Sequence, residues 1–245
     1  MNIGIIGAGQ IGSTLAKKLS ALGHSVKMAN SRGAGSLRDL AQQIGVIPVD
    51  LIEAVADVDL LIIAIPQKSI ESLPPDLLAS CRENLIIVDT GNYYPVRDGE
   101  IDKLEKGKLE SQWVAGYLKR PVLKAFNSIG ASSLADLGTV SGTPNRIALP
   151  ISGDSAESKS VLIKLIDTLG FDGVDAGTIS ESWRQQPGSP VYCTDHTRED
   201  LIRLLKKTER GSLPAFRDKG LQLVMQADGP IKEYRDILRA LYLNL

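Results

Sequence analysis

The chain has 245 residues, about one and a half times the ~150-residue domain prior, which favours one large α/β unit with an appendage over two full domains. Hydrophobic residues make up 43% and charged residues 23%, so the chain is neither disordered nor collagen-like. Lys and Arg number 28 against 29 Asp and Glu, a net charge of −1 that argues against a general nucleic-acid or membrane-surface binder and leaves only local positive charge to matter.

Two isolated cysteines, Cys81 and Cys193, are too few for a disulfide framework and make a reducing cytoplasm the expected compartment. With only His24 and His196 besides, no metal site is expected. No apolar run approaches the ~18 residues of a membrane span. Aromatics are scarce at 4%, so Ile, Leu, Val and Ala must build the core, which suits buried parallel strands.

In chain order, residues 2–6 read as a strand ending in glycines, and residues 10–22 as a helix with Ile11, Leu15, Leu19 and Leu22 on one side. Gly23 ends that helix and residues 25–30 supply a second strand, giving β-α-β. A helix over 37–44, a strand at 46–49 and a short helix at 51–56 follow. The apolar run DLLIIAI at 59–65 reads as a strand buried on both faces and ended by Pro66. Further strands are expected at 85–89, 122–127 and 147–152. Residues 154–169 read as an amphipathic helix capped by Asp154 or Ser155, with a strand near 173–175 after it. Residues 177–193 read as a long loop, and from Thr197 two or three helical segments are expected, broken around Gly211 and at Gly229 with Pro230.

Gly7, Gly9 and Gly12 form G-x-G-x-x-G between a strand and a helix, the context that gives this motif its meaning. Gly7 permits the tight turn, Gly9 lets the backbone approach a pyrophosphate and Gly12 lets the helix pack closely, with the phosphate at the helix amino terminus. An NAD-binding version carries an acidic residue near the end of the second strand. Here that place reads Asn30, Ser31, Arg32. A hydroxyl and a guanidinium suit a 2′-phosphate, so NADP(H) is the expected cofactor. The expected fold is therefore Rossmann-type and doubly wound: a mainly parallel sheet with a small C-terminal α-helical extension. The expected parts are an NADP-binding domain over 1–150, a cleft-closing strand-helix and loop portion over 151–196, and a helical tail over 197–245.

Ligands of open parallel sheets lie beyond the carboxyl ends of the strands. That names Ile65 and Pro66 for the nicotinamide, and Asn92, Tyr93, Phe126 and Asn127 for a substrate. Trp183 and Arg184, in a loop stiffened by Pro187 and Pro190, have the composition of a grip on a planar ligand at a pocket mouth. No catalytic acid or base stands out, although Lys124 and His196 are candidate proton donors. Hydride transfer to a flavin-like ring needs mainly two rings held at the right distance.

The blocks IGIIGAGQIG, LGHSVKMANSRG, DLLIIAIP, LIIVDTGN, VLKAFNSIG and ISGDSAESK followed by GVDAG, spread over residues 1–193, resemble the NADP oxidoreductases that depend on coenzyme F420. The resemblance implies an NADPH-binding domain in which Gly7, Ala8, Gly9, Gln10, Ile11 and Gly12 touch the pyrophosphate, Ser31 and Arg32 hold the 2′-phosphate, and Ile65 and Pro66 line the nicotinamide. It also implies a homodimer and a small planar acceptor, a flavin or deazaflavin. Gly33-Ala34-Gly35 replaces a more basic stretch of the deazaflavin enzymes, and Gln186-Pro187-Gly188 with the tail departs as well, so the acceptor is left open. The rival readings are a non-catalytic NADP(H)-sensing protein and a dehydrogenase or reductase of a small hydroxy acid or imine. The apolar tail positions Leu201, Leu204, Leu205, Ile237, Leu238 and Leu241 need cover, which a second subunit would supply.

Overall fold

The structure, a computed structural model, describes residues 1–227 and 231–242. The chain divides into two compact units, Met1–Lys124 and Ala125–Leu245. The expected break at Gly229 and Pro230 lies outside the described residues.

The first unit is a six-stranded parallel sheet built from β1 (Asn2–Ile6), β2 (Ser25–Ala29), β3 (Ile47–Pro48), β4 (Leu60–Ile63), β5 (Ile86–Asp89) and β6 (Leu123–Lys124). The strand order is β3-β2-β1-β4-β5-β6, and every pair is parallel. The chain winds outward from β1 in one direction and then, from β4, in the other. That is the doubly wound Rossmann arrangement, with its switch point between β1 and β4. Its helices are α1 (Gln10–Ala21), α2 (Arg38–Ile44), α3 (Leu51–Val55), α4 (Pro95–Asp98), α5 (Asp102–Glu105) and α6 (Glu110–Leu118).

The central strands form because their side chains are apolar on both faces: Leu60, Leu61, Ile62 and Ile63 are all buried. Leu15, Ala16 and Leu19 of α1 bury the stripe that the 3.6-residue period selects. Gly4 lets α3 close on β1, since a Cβ there would run into the Ala54 carbonyl oxygen.

The second unit carries α7 (Ala131–Asp136) and a parallel pair, β7 (Ala148–Ile151) and β8 (Asp172–Asp175), joined through α8 (Ala156–Thr168). Ser155 caps α8, its hydroxyl accepting from the Ser158 N–H at 3.1 Å. A 3-10 turn over Ile179–Gln185 interrupts the expected loop, and α9 (Arg198–Lys207), α10 (Leu213–Gln226) and α11 (Ile231–Ala240) follow. Leu201, Leu204 and Leu205 pack with Ala148, Val174 and Val191, so α9 finds its cover within its own unit.

One expected strand is much shorter than its pattern. Residues 122–127 are apolar enough for a full strand, but only Leu123 and Lys124 pair, and Phe126 turns into the left-handed region at φ 60°. That turn ends the alternation, so Phe126 does not continue the face that Lys124 occupies.

Candidate functional site

The glycine loop sits where the switch-point rule places a ligand. The Gly7 N–H donates to Ala29 O at 2.8 Å and the Ala64 N–H donates to Ile6 O at 2.8 Å, which draws the ends of β2, β1 and β4 together. Gly7 takes φ 116°, a conformation that a side chain would strain. A Cβ on Gly7 would meet the Ala64 carbonyl and lie 3.0 Å from Ile65 Cγ2, and a Cβ on Gly12 would meet Gly7 O. Gly9 differs: a Cβ there touches nothing, so the chain needs that glycine neither for a turn nor for packing. Space kept clear in front of Gly9 is what backbone contact with a pyrophosphate requires.

Gly9 starts α1 with no side-chain cap, and no acidic residue stands in the first turn. The leading N–H groups and the helix dipole therefore face outward unopposed, a favourable seat for an anion. Ala8 is half-buried, Gln10 exposed and Ile11 half-buried along this rim.

After β2, Asn30 organises a turn. Its Oδ1 accepts the Arg32 N–H at 2.9 Å and its Nδ2 donates to Ser36 Oγ at 3.0 Å. The Ala34 N–H donates to Asp50 Oδ1 at 3.2 Å, pinning the same turn from the end of β3. Ser31 and Arg32 are exposed, and among the described residues no carboxylate forms an ion pair with the Arg32 guanidinium. A turn held by its own backbone, with a hydroxyl and an unspent guanidinium outward, fits a phosphate ester. Ile65 is half-buried and Pro66 exposed at the start of the 3-10 turn Gln67–Ser72. The structure thus brings the glycine loop, Asn30 and Ile65 together at the carboxyl end of the sheet.

The substrate candidates fall in both units, Asn92 and Tyr93 in the first and Phe126, Asn127, Trp183 and Arg184 in the second. Tyr93 is buried, and its hydroxyl lies 2.6 Å from Glu105 Oε1 while accepting the Ile101 N–H at 3.1 Å. Asn92 is half-buried, with its carbonyl accepting from Arg97. Phe126 and Asn127 are buried. Arg184 stacks 4.3 Å over the Trp183 ring while bonding Glu181 at 2.5 Å and Leu205 O at 3.1 Å. Its charge and plane are engaged in holding the loop.

Of the two candidate proton donors, His196 lines a cavity of about 820 Å³ in the second unit, with Arg203, Arg235 and Arg239 nearby. Burial and the Arg239 charge hold its imidazole below the ordinary range. Lys124 is wholly buried at the carboxyl end of β6, with its Nζ 3.1 Å from Asp89 Oδ2 and 3.6 Å from Glu110 Oε2. Asp89 lies beside it in register at the end of β5 and also accepts from Ser111 Oγ at 2.7 Å. Burial pushes the Glu110 carboxyl up to about 7, against the pull of Lys124. Sequence reasoning passed over Asp89, Glu110 and Ser111. The available signal was a charge closing each of two apolar strand runs, Asp89 after Leu85–Ile86–Ile87–Val88 and Lys124 after Val122 and Leu123. Burial also pushes the Cys193 thiol up to about 12, so it offers no ready thiolate.

The family model for NADP oxidoreductase, coenzyme F420-dependent, matches residues 2–93. The Escherichia coli K12 protein YjhV is 37% identical over 102 residues, covering 40% of this chain and 67% of its own. A solved hypothetical protein from Sinorhizobium meliloti is 34% identical at TM-score 0.67, covering 79% of this chain and 93% of its own. An Arthrobacter sp. FB24 structure, named for F420-dependent NADP reduction, shares the fold at TM-score 0.61 and 23% identity, covering 74% of this chain and 87% of its own. No helix among the described residues is long and apolar enough to cross a membrane.

Proposed function

The chain belongs to the NADP oxidoreductase, coenzyme F420-dependent family, and from that premise we propose that it moves hydride between NADPH and a flavin-like planar acceptor, a flavin or a deazaflavin. When bound, NADPH supplies the hydride from carbon 4 of its nicotinamide. The observation that carries the reading is the carboxyl end of the sheet where Gly7, Asn30 and Ile65 converge, with uncapped helix N–H groups on one side and the unpaired Arg32 on the other.

Ala8, Gly9, Gln10, Ile11 and Gly12 hold the pyrophosphate along the start of α1, in the turn that Gly7 makes with its own N–H bonded to Ala29 O, and Asn30 presents Ser31 and Arg32 to the 2′-phosphate. Ile65 and Pro66 give the nicotinamide an apolar, stiff wall that fixes which way its ring faces. Lys124 is sealed between carboxylates and so does not protonate a substrate alkoxide, which favours ring-to-ring transfer over carbonyl reduction. Asn92 stands at the edge where an acceptor would meet the nicotinamide.

Steady-state oxidation of NADPH against coenzyme F420, FMN, riboflavin and a quinone tests this reading. Turnover with a deazaflavin or flavin is expected. Tight NADPH binding without oxidation by any of them would establish the sensing protein instead.

A further inference from the structure

Three sealed charged groups grip the backbone of residues 91–93. The Gly91 N–H donates to Asp89 Oδ1 at 2.8 Å, Lys124 Nζ donates to Gly91 O, and the Tyr93 N–H hydrogen-bonds the Glu110 carboxyl. Ser111 supports Asp89 from α6, the helix that Glu110 begins. Gln67, next to Pro66 and wholly buried, donates from Nε2 to Glu110 O at 3.5 Å, and its Oε1 lies 2.7 Å from where a Gly91 Cβ would stand. The strand-end segments after β4 and β5 are therefore tied to one cluster. Desolvated charges are costly unless geometry makes them worth keeping, and a packed apolar core would close this sheet equally well.

We infer that Lys124 is a positioning residue: through Asp89 and Glu110 it sets residues 91–93 against Pro66, fixing where an acceptor meets the nicotinamide. This rests on the reading above for the identity of the two faces, but the clamp itself does not need a bound ligand. Lys124 reaches no solvent, so it acts only through the backbone it holds. One cation faces two carboxylates, and among the described residues the charges acting on Glu110 are those of Lys124 and Asp89. Burial pushes the Glu110 carboxyl up to about 7, so it gains or loses a proton near neutral pH. Opening the clamp releases Glu110 to water, where it ionises more readily than in its buried place, so the grip on the Tyr93 N–H weakens as pH rises through the neutral range.

The test is hydrogen exchange of individual amides in the ligand-free protein, with NADPH affinity read separately by nicotinamide fluorescence. In the wild type, protection of the Tyr93 amide relative to its intrinsic rate should fall ~threefold or more from pH 6 to pH 8, and Glu110→Gln should abolish that fall. Lys124→Met should lower protection of Gly91 and Tyr93 ~tenfold or more and leave the β1 and β4 amides unchanged, with the NADPH Kd within ~threefold. Uniform loss across the sheet, or unchanged protection at Gly91 and Tyr93, overturns the inference. If Lys124→Met does not fold, the pH series of wild type and Glu110→Gln decides. Failure of the functional reading shows instead as NADPH that does not bind or is never oxidised, and the exchange data stand apart from that outcome.

Discussion

Asn127 and Gln185 form a reciprocal buried amide pair: Asn127 Nδ2 donates to Gln185 O at 2.7 Å, and Gln185 Nε2 donates to Asn127 Oδ1 at 2.9 Å. Gln185 also contacts Pro150 O at 3.2 Å and accepts from Ser152 Oγ at 2.7 Å. The pair stitches the turn after β6 to the end of β7 and the 3-10 turn over Ile179–Gln185. The Asn127 side-chain amide is engaged within the second unit rather than offered to a substrate.

Gln185→Ala should therefore act on stability. It removes the side-chain donor to Asn127 Oδ1 and the acceptor of the Ser152 hydroxyl in a buried place, while the bond from Asn127 Nδ2 to the carbonyl of residue 185 survives, at a cost of about 2–4 kcal/mol in urea unfolding. Asn127→Ala should cost about 1–3 kcal/mol, and the double variant should cost clearly less than both together. Strict additivity would mean that the two amides do not act as a unit.

Glu110 sets a pH dependence. Its folded carboxyl titrates at about 7 against 4.5 for an ordinary one, so the native state holds the proton more tightly than the unfolded chain. Between these values the unfolded state binds fewer protons, and stability falls as pH rises from about 4.5 to about 7, then levels off. The full difference is on the order of 3 kcal/mol. Glu110→Gln should flatten this limb of a Tm-against-pH curve and be more stable than wild type at pH 8. A limb of unchanged steepness in Glu110→Gln would assign it to another group.

The contrast between what was legible and what was not follows the range of the interactions. The first βαβ unit, its three glycines and Asn30-Ser31-Arg32 are local signals, because strand, turn and helix there are contiguous and Gly7 and Gly12 each have a backbone reason close by in the chain. α6 has no clean apolar stripe: Trp113, Val114 and Leu118 are buried, but so are Glu110 and Ser111. Those two are buried for the sake of Asp89 and Lys124, which lie 21 residues before and 14 after Glu110 in the chain and which periodicity cannot connect to it. The early end of β6 depends on the positive φ of Phe126, for which a bulky aromatic gives no sequence cue.

Arg32 decides between the two nicotinamide cofactors. Removing an unpaired guanidinium from the 2′-phosphate position loses a charge-assisted contact of about 1.5–3 kcal/mol, which only NADPH makes. Arg32→Ala should raise the NADPH Kd ~10- to 100-fold and leave that of NADH within ~twofold. Equal losses for both cofactors in a fluorescence titration would remove Arg32 from the phosphate site.

Gly9 and Gly12 separate binding from folding within one motif. A methyl at Gly12 must displace the Gly7 carbonyl or push α1 off the sheet, so Gly12→Ala should cost about 2 kcal/mol or more and weaken cofactor binding only through that damage. At Gly9 the backbone has φ −75° and the Cβ position is open, so alanine fits the empty protein and its cost is the loss of a tolerable cap residue, about 1 kcal/mol or less. The same methyl would stand where a pyrophosphate must approach the N–H groups of α1. Gly9→Ala should therefore keep a near-wild-type Tm while its NADPH Kd rises ~tenfold or more, and the reverse pattern in the two variants would place the dinucleotide elsewhere.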